Sequence, residues 1–289
     1  MAGAPSPSPS PSPLAIGRAT LAFGLRTYVM GILNVTPDSF SGDGLTDPDA
    51  VAAHAEALVA AGADLLDLGA ESTRPGYAGI DEEEEWGRLG PALRAVRRAV
   101  AVPLTVDTTK RAVAERAFDE GADGLNDVLG LLGDPGLAEL LARSGKPAVL
   151  MHNQRGRAFG GDVIGDIRAG LEAGIAIAER AGVPRARLVV DPGFGFGWEP
   201  EQNLEMLRRL RELKALGCAL LVGTSRKSTL GRVLGRPERE RLWGTAATVA
   251  LAIAGGADIV RVHDVAELAQ VARMADAVVR GWRPPEARP

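Results

Sequence analysis

From Thr27 onward one rhythm repeats along the chain. A short apolar run gives way to a polar loop, and then to ten or more residues with apolar positions at helical spacing. The runs fall at Tyr28 to Asn34, Leu65 to Leu68, Leu104 to Asp107, Gly124 to Asp127, Ala148 to Met151, Leu188 to Asp191, Ala219 to Val222 and Ile259 to Val262, and they predict eight strands separated by helices. Asp47-Pro48 reads as a helix start, with Val51, Ala55, Leu58, Val59 and Gly62 on one face. The phrases Ala61-Gly62-Ala63-Asp64, Glu120-Gly121-Ala122-Asp123 and Gly255-Gly256-Ala257-Asp258 each end a helix at glycine and set an acidic residue before a strand. Asp81 to Glu85 reads as a solvated first helical turn, where negative charge suits the helix dipole. Asp264-Val265-Ala266-Glu267 has capping-box spacing, and its helix carries Val265, Leu268, Ala269, Ala272, Ala275, Val278 and Val279 as the expected buried stripe.

Eight βα units in one chain predict a TIM (β/α)8 barrel with parallel strands, preceded at Leu14 to Leu25 by a short N-terminal β-hairpin that would cap the barrel's lower end. A doubly wound open sheet satisfies the same alternation, although no Gly-x-Gly-x-x-Gly follows the first strand. The expected organisation is a Pro/Ser-rich disordered tail over 1–13, a single barrel domain over 14–283 and a C-terminal tail over 284–289.

Composition adds exclusions. Hydrophobic residues make up 46% and charged residues 24% of 289 residues, which is ordinary for a globular chain. A net charge of -4 gives no nucleic-acid footprint, yet leaves room for a cationic pocket. No signal-peptide pattern and no membrane-length apolar run occur, so no membrane partner and a cytoplasmic location are expected. The lone cysteine, Cys218, excludes an internal disulfide, and the histidines lie on different elements without zinc-ligand spacing. His54 lies on a helical stretch and reads as surface.

In a barrel the strand ends converge on one rim. Here they bear Asn34, Asp67, Asp107, Asn126 with Asp127, His152, Asp191, Ser225 to Ser228, and Arg261 with His263. Asp107, Asn126 and Asp191 form an acceptor-rich group, while Arg74, Lys227, Arg261 and His263 form a cationic one. A ligand with a cyclic guanidine edge at one end and phosphate at the other suits both groups. A buried ionic network, with Asp107 and Asp191 paired to Lys227 and Arg261, accounts for the same residues without any ligand.

The segments Met30 to Ser41 (MGILNVTPDSFS), Glu71 to Gly76 (ESTRPG), Asp107 to Lys110, Asn126-Asp127, Met151-His152, Asp191 to Gly197 (DPGFGFG), Ser225 to Ser228 and Arg261 to Val265 together resemble the dihydropteroate synthases, in order and over nearly the whole barrel. The resemblance implies a transferase of folate biosynthesis. Such an enzyme condenses 6-hydroxymethyl-7,8-dihydropterin pyrophosphate with p-aminobenzoate, with Mg2+, by a dissociative mechanism, and works as a homodimer. It further implies that Asp107, Asn126, Asp191 and Lys227 hold the pterin. Asn34, Arg74, Arg261 and His263 would take the pyrophosphate, with Asn34 also the metal ligand, and Thr73, Pro75, Phe196 and Ser228 would receive p-aminobenzoate. Asp107, Asp191, Lys227, Arg261 and His263 are the expected catalytic set. His152 either lines the site or orients a loop. Many relatives read Ser-Asp-Gly-Gly where Ser41-Gly42-Asp43-Gly44 stands, leaving open whether Asp38, Asp43 or Asp47 faces the intermediate as Pro37 to Asp47 covers the mouth. Trp198 replaces a common lysine and is expected at the rim. The competing functions are a pterin-binding methyltransferase acting on methyltetrahydrofolate with a corrinoid partner, and a pterin-binding paralogue without turnover.

Overall fold

The computed structural model describes residues 11–36, 47–72 and 79–282. Two short strands, β1 (Leu14–Ile16) and β2 (Ala19–Leu21), form an antiparallel hairpin. The strands β3 (Tyr28–Asn34), β4 (Leu65–Gly69), β5 (Leu104–Asp107), β6 (Gly124–Asp127), β7 (Ala148–Met151), β8 (Leu188–Asp191), β9 (Ala219–Val222) and β10 (Ile259–Val262) form one closed barrel in chain order. All neighbours are parallel, and β10 closes on β3 with Ile259 opposite Tyr28 and Val262 opposite Gly31. This is a TIM barrel, and the open-sheet arrangement is excluded by the closure.

The helices are α1 (Pro48–Ala60), α2 (Glu82–Ala99), α3 (Arg111–Asp119), α4 (Gly136–Ser144), α5 (Val163–Arg180), α6 (Pro200–Arg208), α7 (Ser228–Leu234), α8 (Leu242–Ala254) and α9 (Val265–Asp276). No described helix is long and apolar enough to cross a membrane.

Strand side chains alternate between the helical layer and the barrel interior. Val29, Leu33, Leu66, Leu68, Val106, Leu150, Val190, Leu220 and Val262 pack outward in one core with the helices. The other positions point inward and change character along the barrel axis. At the lower end Met30, Leu65, Val149, Val189, Leu221 and Ile259 form an apolar cluster with Leu14, Ile16, Leu21 and Phe23 of the hairpin segment. Two residues further along the same strands stand Ile32, Asp67, Met151, Asp191, Gly223 and Arg261. The hairpin is therefore a plug on the dry end, and the charged side chains at inward strand positions stand at the carboxyl end.

The recurrent Gly-Ala-Asp phrase is one device used three times. Gly62, Gly121 and Gly256 have φ of 109°, 99° and 98°, which ends each helix and turns the chain inward. Asp64 N–H then donates to Val29 O, while Val29 N–H returns a bond to the Asp64 carboxylate at 2.9 Å. Asp123 makes the same exchange with Leu104, and Asp258 with Leu220. Arg26, Arg97 and Lys214 neutralise the three carboxylates. Each phrase pins a strand to the start of its neighbour.

Three expectations are corrected by packing. The stripe on α9 buries Val265, Leu268, Ala269 and Ala272, but Val278 and Val279 beyond it are exposed. Asp264 makes no cap bond, because Arg226 takes its carboxylate. The acidic run caps α2 through Asp81 as expected, yet Glu85 is fully buried rather than solvated.

Candidate functional site

At the carboxyl ends of the strands lies a cavity of 380 Å³, within the usual size of small-molecule sites. Ile32, Asn34 and Thr36 line it from β3 and its exit, Asn126 and Val128 from β6, and Met151 and Arg155 from β7 and its loop. Asp191, Gly195 and Phe196 contribute from β8, Ser225 to Ser228 from the turn after β9, and Arg261 with His263 from β10. The sequence-predicted Asn34, Asn126, Asp191, Phe196, Lys227, Ser228, Arg261 and His263 are thus brought together. Asp107 stands just beneath them.

Arg261 organises the floor. Its Nε donates to Asp67 at 2.7 Å and its Nη2 to Asp107 at 3.0 Å. Asp67 also accepts from Asn126 Nδ2 at 2.8 Å and from Thr105 Oγ1. Burial works against the guanidinium charge, but Asp67 and Asp107 outweigh it and hold the Arg261 pKa above its ordinary value. Asp107 is raised, first by burial and then by neighbouring Asp67, with Arg261 opposing. The expected ionic network therefore forms in part. Arg261 pairs with Asp107, while Asp191 accepts the Gly193 N–H at 2.8 Å.

Burial pushes the Asp191 carboxyl up to about 6, against the Gly193 N–H and the charges of Lys227 and Arg261. Burial, reinforced by Arg261, pulls Lys227 down to about 8, with Asp191 opposing. The Lys227 Nζ lies 4.0 Å from the centroid of the Phe196 ring, and the Arg155 guanidinium lies 4.8 Å from it. Such contacts stabilise a cation by about 0.5–2 kcal/mol and leave the Lys227 ammonium N–H groups available to a ligand.

The loop Asp191 to Trp198 reaches this geometry through glycine. A Cβ on Gly193 (φ 75°) would stand 1.9 Å from His152 O, and one on Gly197 (φ 88°) 2.5 Å from Arg155 N. The buried Asn203 clamps the loop, accepting from Gly195 N–H at 2.7 Å and donating to Trp198 O and Thr229 Oγ1. Across the mouth, His263 Nδ1 lies 2.9 Å from Ser225 Oγ, so each fixes the other's orientation. Arg226 between Ser225 and Lys227 has φ 57°, a rare value for arginine, and its pair with Asp264 holds it there.

Other expectations resolve differently. Thr73, Arg74, Pro75, Asp38 and Asp43 lie outside the described residues. Asp47 caps α1, its side chain accepting from Asp49 N–H. His152 is buried behind the cavity, with Nε2 2.9 Å from Gln154 Oε1 and its ring on Trp198, so it orients the loop after β7. Burial lowers its pKa. Trp198 is not at the rim but buried between His152 and Phe159. His54 is half-buried on α1. The sequence places Asp67 among the strand ends of the rim without a role, although a carboxylate inside Leu65-Leu66-Asp67-Leu68 signals a buried partner. Sequence reasoning passed over Arg155, for which the sequence offers no signal.

The chain matches the family model described as pterin binding enzyme across residues 30–263. It is 44% identical to the dihydropteroate synthase of Synechocystis over 93% of this chain and 95% of that protein. It is 42% identical to the Bacillus subtilis enzyme of the same name over 90% of this chain and 92% of that protein. Among solved structures, the Clostridium difficile dihydropteroate synthase in the presence of pteroic acid is similar with a TM-score of 0.85 and 46% identity, covering 89% of this chain and 98% of that one. The Xanthomonas albilineans enzyme with 4-aminobenzoic acid is similar with a TM-score of 0.86 and 40% identity, covering 93% and 98%. A closed barrel with this cavity, a family match over most of its length and relatives of this identity lead to one assignment: the chain belongs to the pterin-binding enzyme family, and within it to the dihydropteroate synthases.

Proposed function

We propose that the chain joins the pyrophosphate ester of 6-hydroxymethyl-7,8-dihydropterin to p-aminobenzoate, giving 7,8-dihydropteroate and pyrophosphate in folate biosynthesis. The observation that carries this reading is a single cavity lined both by Asp191 and Asn126 and by Lys227, Arg261 and His263. The buried Asp191 carboxylate suits two parallel N–H groups on a guanidine-like ring edge, and Asn126 supplies a further amide. Lys227, steadied on Phe196, donates to a ring oxygen or nitrogen. Asp107 acts beside them and through Arg261, whose position it helps to fix.

Arg261 and His263 favour the departing pyrophosphate, with Arg74 joining them by resemblance. In a dissociative step the carbon–oxygen bond breaks with its electron pair leaving on pyrophosphate, and the pterin ring shares the positive charge left on the methylene carbon. The amine lone pair of p-aminobenzoate then forms the new carbon–nitrogen bond, and the nitrogen releases its proton to solvent at the open mouth of the cavity. Asp67, Asp107 and Asp191 favour the cationic carbon electrostatically, so no protein nucleophile is required. Phe196 and Ser228, with Thr73 and Pro75 by resemblance, receive the aromatic amine.

Mg2+ fits this donor set. It keeps several waters and is held by one or two protein oxygens together with substrate phosphates, and Asn34 offers one amide oxygen at the cavity wall. When bound there it supplies positive charge to the leaving pyrophosphate. We assign the enzyme to the cytoplasm, where the buried Cys218 thiol stays reduced. A homodimer formed through α8 and α9 is supported by the exposed apolar side chains of those helices.

The experiment is pyrophosphate release from purified protein given both substrates. Mg2+-dependent release that requires p-aminobenzoate is expected, and its absence overturns the reading. In the same preparation Asp191→Ala is expected to weaken binding of free pterin, and His263→Ala to weaken pyrophosphate far more. Equal loss of both ligands in either variant overturns the two-ended division of the cavity.

A further inference from the structure

The acidic start of α2 and the lysine that ends Asp107-Thr108-Thr109-Lys110 have no part in the chemistry above, yet they meet beside the cavity. Lys110 Nζ donates to Glu85 Oε2 and to Glu71 Oε2, each at 2.6 Å. Glu85 is fully buried and its Oε1 has no hydrogen-bond partner among the described residues, so the Lys110 cation offsets its burial. Burial opposes the Lys110 charge, but the two carboxylates outweigh it and raise its pKa, so it stays charged through the working range.

Glu71 is the informative member. Its second oxygen, Oε1, accepts from Ile80 N–H at 3.0 Å. One side chain therefore ties the residue where the chain leaves β4 to the residue where it returns toward α2. A Cβ on Gly79 would stand 3.2 Å from that same oxygen, so glycine lets the returning chain approach. Glu71 and Ser72 line the cavity. They do so next to Asn34, because β4 pairs with β3 and Asn34 stands opposite Gly69. Asn126, Asp191 and Lys227 arrive from β6, β8 and the turn after β9, on other strands of the barrel.

We propose that Lys110 is a positioning residue. Through Glu71 it fixes the cavity wall at the end of β4, beside Asn34 at the pyrophosphate end of the cavity, while Asn126, Asp191 and Lys227 stand on other strands. This assignment rests on the function proposed above.

Glu71→Ala is the decisive variant, because it keeps the Lys110–Glu85 pair and with it the fold. The expected result is a KM for the pterin pyrophosphate raised about tenfold, with kcat changed by less than about threefold. The dissociation constant for 6-hydroxymethylpterin without pyrophosphate, read by calorimetry, stays at the parent value. Lys110→Arg preserves the cation and is expected to restore a near-parent KM, whereas Lys110→Met strips Glu85 of its counter-charge and lowers the melting temperature. An unchanged KM in Glu71→Ala, or an equal loss of 6-hydroxymethylpterin affinity, overturns the clasp while the parent turns over normally. A parent protein that releases no pyrophosphate overturns the clasp and the functional reading together.

Discussion

Asp191 is a carboxylate that the fold keeps at the expense of its own solvation. Its pKa of about 6 stands above the ordinary carboxylate value, so the folded state holds the proton more tightly than the unfolded chain does. Stability from this group is therefore present at low pH and is lost as pH rises through about 6. Asp191→Asn removes the buried charge and can keep the bond from Gly193 N–H. The variant is expected to melt above the parent at pH near 7, with the difference shrinking as pH falls below about 6, while pterin affinity collapses. A variant that melts below the parent at neutral pH would contradict this account. Lys227 supplies the other limb, since its pKa of about 8 removes the cation in mildly alkaline solution. The free enzyme's kcat/KM for the pterin substrate should then follow a bell falling on either side of about 7, measured at saturating p-aminobenzoate. These two residues were legible in the sequence because each sits at the end of an apolar strand. Asp67 signalled a buried partner without naming it, and Glu85 read only as a solvated helix start. Their burial depends on cations that meet them only in the fold, and Arg261 pairs with Asp67 across 194 positions of chain.

At the scale of elements, the barrel was legible for a physical reason. Each strand is buried on both faces, so it appears as a short continuous apolar run, and each run ends where the inward position turns polar. The Gly-Ala-Asp phrases were readable as helix ends, but not as pins. Nothing local in Ala122-Asp123 announces that its carboxylate takes the Leu104 N–H at 3.0 Å and Arg97 at 2.9 Å. The hairpin docks on this same pin: a Cβ on Gly17 would stand 2.5 Å from Asp123 Oδ1. Asp123→Ala leaves a strand N–H without an acceptor and Arg97 without its carboxylate. A loss of about 1–3 kcal/mol in unfolding free energy is expected from urea titration. The cavity lies at the opposite end of the barrel, so kcat/KM of the folded fraction should match the parent. A large fall in kcat/KM with little change in stability would show that the lower end of the barrel communicates with the site.

Across the whole molecule, most of the large apolar side chains left exposed among the described residues lie on or beside the last helices. Trp243 on α8 is 81% exposed, Met274 on α9 67%, and Val278 just beyond it 74%. Leu251 and Trp282 are exposed as well. The stripe expected to be buried within α9 and its extension is thus fully buried only as far as Ala272; Ala275 is half-buried against the core, and Val278 and Val279 face outward. A soluble monomer rarely leaves so much large apolar surface on two neighbouring helices, whereas a second copy of the chain would cover it through a self-complementary contact. Light scattering after gel filtration should therefore give twice the 30.1 kDa of one chain. Leu251→Glu together with Met274→Lys places charge on both helices without touching a cavity residue, and should convert the protein to a monomer. Because neither substituted residue lines the described cavity, that monomer should retain most of its pyrophosphate release. A parent protein that runs as a monomer at micromolar concentration would refute the dimer. A variant monomer that binds pterin but no longer turns over would instead show that the second copy supports the mouth of the barrel.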